Sequence, residues 1–444
     1  LTQADRVMRA TLPSRWRVPL LALAAAALVT RGAAAETLGQ AWQMALANNQ
    51  ALAAAHDEVE GARAKERAAR GGRWPTVDTS VGYTRLNAAP QLDVVTPGFT
   101  FRSGPIFKDD QYVSGTVQVK VPLYAGGRIT AGIRAARESL TGVSAQEQAA
   151  LSDLKLAVAE AYVGVLRARS ELAVADSSVA SLRAHVSDAK SMFQRQLVAK
   201  SDVLAAQVAL AVAEERQVSA ANGVQIALAD YNRLLGEPLE RAPRLEGRLD
   251  IAPALATEAV GSLVRRALAA RGELKGLAAQ SSALAAQARA ATGSRLPQVA
   301  LTGGYTHFDN QILDRQNFSM VGVGFTWRLF DGGVARDEAD SLRSESRAAG
   351  RRLADQRSQV ELQVRQAWLA VRAAHARVAA SREATAQAAE NLRISRELYG
   401  AGLASNTQVL DAVTLQVQAT NDHDNAMLDE SLAGMELEYA VGAL

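Results

Sequence analysis

The chain has 444 residues, 48% of them hydrophobic, with 49 Lys and Arg against 46 Asp and Glu, and no cysteine. Neither a disulfide framework nor a thiolate metal site is therefore available, and the five histidines (His56, His185, His307, His375, His423) lie far apart without metal-ligand spacing. No cofactor is expected, and the length prior of about three globular domains gives way to the internal repeat described below.

Residues 1–35 read as an export signal. Arg6, Arg9, Arg15 and Arg17 precede the apolar run Val18 to Val29, and Ala33-Ala34-Ala35 offers a small-residue cleavage site before Glu36. That run is too short to span a bilayer as a helix. The segment holds five Arg and one Asp, so the remainder carries 44 basic and 45 acidic residues. The formal net charge of +3 is thus a property of the leader and points to no nucleic-acid partner. No later apolar run is long enough for a transmembrane helix, and an exported chain without one crosses an outer membrane only as a β-barrel.

Residues 36–236 form the first expected structural repeat. Glu36 to about Gly71, rich in Ala, Leu, Glu and Arg, reads as one helix, broken by Gly71-Gly72 and Pro75. An expected hairpin spans 76–123. Thr76 to Thr84 alternates, with Val77, Thr79, Val81 and Tyr83 on one face and Asp78, Ser80 and Gly82 on the other. Leu86 to about Gln111, punctuated by Pro90, Pro97 and Pro105, reads as a loop. The returning strand puts Val113, Val117, Val119, Val121 and Leu123 opposite Ser114, Thr116, Gln118 and Lys120. Each strand is about as long as a tilted strand needs to be to cross a bilayer.

Past Tyr124 and Gly126-Gly127 the period changes. Leu151, Leu154, Val158, Ala161, Val165 and onward to Ala189 alternate steps of three and four, the pattern of a long helix packed as in a coiled coil. From Gly127 to Phe193 it would measure about 100 Å. A break near 196–200 leads to a second helix, Ser201 to Leu235, with Ser201 as its expected N-cap. Gly236, Pro238 and Pro243 open an expected linker, 237–257.

Residues 258–444 repeat the first half. Arg295, Pro297, Val299 and Gly304-Tyr305-Thr306 lie 222 beyond Arg73, Pro75, Val77 and Gly82-Tyr83-Thr84. After the second hairpin (297–330) the offset is 206, so its loop is shorter by 16 residues. Gly332-Gly333 then matches Gly126-Gly127, Phe330 matches Tyr124, the seam recurs from Val364 to Tyr399, and LASNTQVL at 403–410 matches LVAKSDVL at 197–204. Pro75 and Pro297 mark the helix-to-strand joints; the glycine pairs mark the strand-to-helix joints.

Two hairpins supply four strands, too few to close a barrel, so copies must associate. The valine-rich faces are expected to meet outer-membrane lipid, with Trp327 in an interface girdle, and the polar faces to line water. The double repeat, the LYAGGR and LFDGGV junctions and the paired tip segments together resemble the TolC-type outer-membrane efflux family, over essentially the whole mature chain. The resemblance implies an α+β membrane protein: a homotrimer with a twelve-stranded β-barrel, four strands per chain, continued by a long α-helical coiled-coil barrel in the periplasm of a Gram-negative bacterium. It implies a passive exit duct, not an enzyme, passing small molecules, drugs or ions. Its partners would be a periplasmic adaptor (membrane fusion) protein and an inner-membrane RND, ABC or MFS transporter.

By the same resemblance Asp411 matches an aspartate that narrows the periplasmic entrance, whereas a second such position is Gln408. Tyr399 and Asp202 match a closed-state latch. Ser201 stands for a threonine in a second latch, but Ala404 replaces its arginine. Gly402, with Leu403 and Leu197, matches the adaptor-docking tips, although Gln196 departs from the glycine of the first tip. Two alternatives remain at this stage: an exit duct for type I protein secretion, and an exported coiled-coil structural protein.

Overall fold

A computed structural model describes residues 35–247, 254–310 and 314–444. All but the last residue of the expected export signal, and the middle of the expected linker, lie outside them. In chain order the elements are α1 (Leu38–Asn48), α2 (Gln50–Gly71), β1 (Thr76–Arg85), β2 (Gln91–Thr96), β3 (Phe99–Pro105), β4 (Gln111–Tyr124), α3 (Arg128–Gln194) and α4 (Lys200–Leu235). A 3₁₀ turn (Ala254–Thr257) leads to α5 (Val260–Ala270), α6 (Gly272–Gly293), β5 (Gln298–Phe308), β6 (Asn317–Thr326), α7 (Val334–Gly400) and α8 (Asn406–Val441). The long helices α3 and α7 both have 67 residues, and α4 and α8 both have 36.

Three local expectations are corrected. The helix expected from Glu36 to Gly71 is two helices, because Asn49 is extended (ψ 118°) and its side chain accepts from the amides of Ala51 (3.0 Å) and Leu52 (3.1 Å). The carboxamide also donates to the carbonyl of Leu234 at 3.0 Å. The second half breaks at the equivalent Arg271 (ψ 125°), whose guanidinium reaches the carbonyl of Tyr439 at 3.1 Å. Apolar periodicity runs through both breaks and hides them. Second, the expected loop 86–111 contains the hairpin β2–β3, turned at Pro97-Gly98 with Gly98 at φ +92°. Third, Ser201 is not an N-cap: α4 starts after Ala199 without a side-chain cap, and the matching α8 is capped by Ser405.

The main sheet has the order β1-β4-β5-β6, every pair antiparallel. Its register puts Val77, Val119, Gly303 and Val321 in one row, and Thr79, Val117, Tyr305 and Ser319 in the next. The opposite face carries Asp78, Gln118, Gly304 and Met320, then Ser80, Thr116, Thr306 and Phe318. One face is therefore mainly valine and aromatic and the other mostly hydroxyl, amide and charge, apart from Phe318 and Met320 on β6 and, at the end far from the helices, Tyr112 and Phe308. Both β1 and β6 end the sheet with unpaired edges.

The helices hold several cores along their length. At mid-height each half has its own: Val158 and Val165 pack with Ala41, Leu228 and Leu235, and the matching Val364 and Val371 pack with Leu263, Leu437 and Val441. Packing of α3 on α6 and α8 joins the halves, aided by Asp429, which meets Arg167 at 2.6 Å and Arg377 at 3.4 Å. The beginning of the described chain is tied to the first core by buried Glu36, which accepts from Tyr231 and, at 2.5 Å, from Arg241. Burial pushes the Tyr162 phenol, which donates to the Glu36 and Glu246 carbonyls, up to about 12.

Candidate functional site

At the end remote from the sheet, two helix-to-helix turns have the same build. The Leu197 amide donates to the Met192 carbonyl (3.0 Å) and that of Gln196 to Phe193 (2.9 Å). Their counterparts, Leu403 to Leu398 (2.8 Å) and Gly402 to Tyr399 (2.9 Å), complete the same Schellman pattern. That turn needs a left-handed residue, supplied by Gly402 at φ +74° and by Gln196 at φ +60°. Gln196 is the only non-glycine with positive φ among the described residues. Leu197 and Leu403 stand exposed on the two tips.

Tyr399 is 4% exposed, in a cluster with Val179, Leu182, Leu392 and Val409. Its hydroxyl is buried without a hydrogen bond. Burial, and then the negative charges of Asp202 and Asp188, raise its pKa. The structure thus brings Asp202 near Tyr399 without joining them, while Ser201 is exposed and Ala404 half-buried. Asp202 occupies the first turn of α4, where a negative charge suits the helix dipole.

Asp411 is exposed on α8, one turn beyond Gln408. Gln408 completes a capping box: its amide donates to Ser405 Oγ at 3.3 Å, and its Oε1 accepts from the Ser405 amide at 2.9 Å. Its side chain is thereby turned back to the helix start, leaving Asp411 as the acidic group of the pair. Sequence reasoning missed buried His185, whose Nε2 lies 2.7 Å from Asn406 Oδ1 and whose ring lies 5.1 Å from that of Tyr399. The partners are 221 positions apart, and no local pattern links them. The Ser405–Gln408 box was visible as S-x-x-Q.

At the sheet end, Pro75 and Pro297 immediately precede β1 and β5, where a residue without an amide donor is tolerated. Gly126, Gly127, Gly332 and Gly333 all have φ between +60° and +90°. Left-handed conformation at two successive residues lets each strand turn into its helix. Around these joints Trp74, Tyr124, Trp327 and Phe330 are exposed, Phe330 to 88%. Trp327 Nε1 donates to the Arg295 carbonyl at 3.0 Å, leaving its ring body free for an interface.

Among the described residues no helix is long and apolar enough to cross a membrane, and no group of three or more His, Asp and Glu side chains is placed to hold a metal. A small sheet with one apolar and one polar face, continued by helices of about 100 Å, defines the class, an outer-membrane channel protein. The family described as "Outer membrane efflux protein" matches residues 41–237 and 263–443, and the chain belongs to it. It is similar to the outer membrane protein TolC of Vibrio cholerae, with 24% identity over 439 residues covering 96% of this chain and 95% of the relative. It is also similar to the alkaline protease secretion protein AprF of Pseudomonas aeruginosa, with 25% identity covering 91% and 84%. Among solved structures, the outer-membrane channel OprN superposes with a TM-score of 0.78 at 18% identity, covering 92% and 90% of the two chains. The outer membrane protein VceC of Vibrio cholerae gives 0.78 at 18% identity, covering 91% and 96%. At that identity these structures speak for the fold alone. The protein is a TolC-like efflux channel of the Gram-negative outer membrane, and its relatives are channel proteins rather than enzymes.

Proposed function

We infer that three copies of this chain close a twelve-stranded barrel over a twelve-helix periplasmic tunnel and act as the passive exit duct of a tripartite efflux pump. The observation that carries this reading is the match between the junction inside the chain and the surfaces it leaves open. Within the chain β4 pairs with β5, placing Val117 opposite Tyr305 and Val119 opposite Gly303. Moving β4 by 206 residues and β5 by 222 turns that pair into β6 against β1 of the next copy, with Val323 opposite Tyr83 and Phe325 opposite Val81. The helices agree. Buried Val163 packs near Leu432 inside the chain, and their counterparts Leu369 and Ile226 are both exposed large apolar residues. Such residues, unpartnered in one chain, fit an interface between copies.

In the trimer Asp411 would form a ring of three carboxylates at the entrance, unassisted by Gln408. The buried Tyr399 hydroxyl and the nearby Asp202 charge support a closing latch there. Leu197, Leu403 and Gly402 would offer the tips to a periplasmic adaptor coupled to an inner-membrane transporter. The AprF relative, named for protease secretion, favours a second cargo reading, an exit duct for type I protein secretion. The test is single-channel recording of the purified protein in planar bilayers. Cation-selective openings are expected, with Asp411→Ala weakening both selectivity and divalent-cation block. Absence of any channel would defeat the duct, and unchanged selectivity and block would remove Asp411 from the entrance.

A further inference from the structure

The first hairpin carries more chain than the second, and the placement of that excess is unexpected. After β3 the segment Ile106 to Asp110 turns back across the sheet and is held at both ends. The Ile106 amide donates to the Pro90 carbonyl at 2.8 Å, the Leu86 amide donates to the Asp110 carbonyl at 2.6 Å, and Arg85 Nε meets the Asp110 carboxylate at 3.2 Å. Between these anchors sits Phe107, only 7% exposed although it lies in a surface connection. Its ring stacks on Tyr112 (centroids 4.2 Å apart, planes 11° apart) and meets Phe308 edge-on at 5.7 Å. Tyr112 and Phe308 are themselves edge-to-face at 5.4 Å.

The register decides which side of the sheet this cluster occupies. Tyr112 stands two, four and six residues before Ser114, Thr116 and Gln118 in β4 and so on their face, and Phe308 lies directly opposite Ser114. Directly paired residues share a face, so all three rings lie on the polar side and not on the valine-rich side that suits lipid. They lie at the end of the sheet farthest from the helices. Phe318, opposite Thr306 on the same face, extends the aromatic lining one row deeper. An apolar cluster on the otherwise water-suited face is poorly explained as lipid contact or as a solvated loop.

We propose that the Phe107 turn is a collar at the outer mouth, an aromatic step on the water-lined wall that narrows the exit and sets the size of solute that passes. It rests on the duct reading, which makes that wall the lumen. The collar is distinct from the periplasmic entrance and is built from the hairpin extension that the second half lacks.

Because the chain has no cysteine, one introduced thiol reports on the collar without background. Gln118→Cys, exposed on the polar face nearer the helices, is treated in the full-length protein of intact cells with water-soluble maleimides of graded size added outside. Thr100→Cys on the external hairpin serves as the reference for assembly and access. A small maleimide is expected to react at Gln118→Cys while a bulky one lags. Phe107→Ala brings the bulky reagent up to the rate of the small one, and Phe107→Trp slows even the small one. Equal rates for both sizes in the parent, unchanged by either substitution, overturn the collar. If no reagent reaches Gln118→Cys in any background while Thr100→Cys reacts, the water-lined wall itself is refuted, and the collar with it.

Discussion

The two strand-to-helix junctions share their chemistry and differ in their surroundings. At Gly126 a Cβ would lie 2.4 Å from the Gly293 carbonyl oxygen and 2.7 Å from Leu296 Cβ, because the second half packs against it. At Gly332, its counterpart, nothing lies within 4 Å. Gly71, the counterpart of Gly293, is equally open. A residue type required by contact in one copy stands in open space in the other. The difference follows from the strand order: β4 is internal to the sheet, while β6 is its edge. On the trimer reading, Gly332 meets Gly71 of the next copy as Gly126 meets Gly293 within the chain.

Alanine at each site puts that symmetry to the test. Gly126→Ala combines left-handed strain with a backbone overlap and is expected to cost about 3 kcal/mol or more. Gly127→Ala, with no neighbour within 4 Å, keeps only the strain, about 1–2 kcal/mol. If Gly332→Ala depresses the trimer's thermal midpoint as Gly126→Ala does, the open junction is filled by a sister subunit. An effect no larger than that of Gly127→Ala would break the comparison.

The helical tips differ less and sharpen it on a smaller scale. Gln196→Gly relieves a left-handed glutamine and should stabilise the first tip by about 1 kcal/mol, and Gly402→Ala should weaken the second by a similar amount. Hydrogen exchange of the amides of Leu197 and Leu403 reads both changes. Equal exchange in parent and variants would show that the turn conformation is not limiting.

The smallest effect returns to the junctions. The amides of Ala335 and then Gly333 donate to Asp331 and hold its carboxyl below the ordinary aspartate value. The first junction has Ala125 in the equivalent place. A depressed pKa means that the carboxylate's stabilisation is complete above about pH 4, the ordinary aspartate value, and is lost as the pH falls through the lower folded value. Asp331→Ala should therefore lower the midpoint slightly at pH 7, with the difference fading on acidification. A difference that persists unchanged at pH 2 would rule out the carboxylate as its cause.

Much of the fold was legible because duplication shows each pattern twice. Strand alternation from Val77 to Tyr83 recurs from Val299 to Tyr305, and the seam through Val158 and Val165 recurs through Val364 and Val371. Asn49 and Arg271 were not legible as breaks, since the apolar face continues across them and their partners Leu234 and Tyr439 are far away in sequence. The hairpin β2–β3 was hidden by its prolines. At the helical tips Asp411 and Tyr399 entered through resemblance and the Ser405–Gln408 box stands in the sequence as S-x-x-Q, whereas the His185–Asn406 contact emerged only from the tertiary structure.

The residues in order were enough to determine the repeat, the alternating strands, the long helices and the glycine joints, because each depends on the spacing of neighbours along the chain. Which glycine is crowded, which apolar residues remain uncovered and on which face Phe107 lies were decided only by tertiary structure. Those properties depend on strand register and on contacts between segments far apart along the chain, such as Gly126 with Gly293 and Phe107 with Phe308, which no local periodicity encodes.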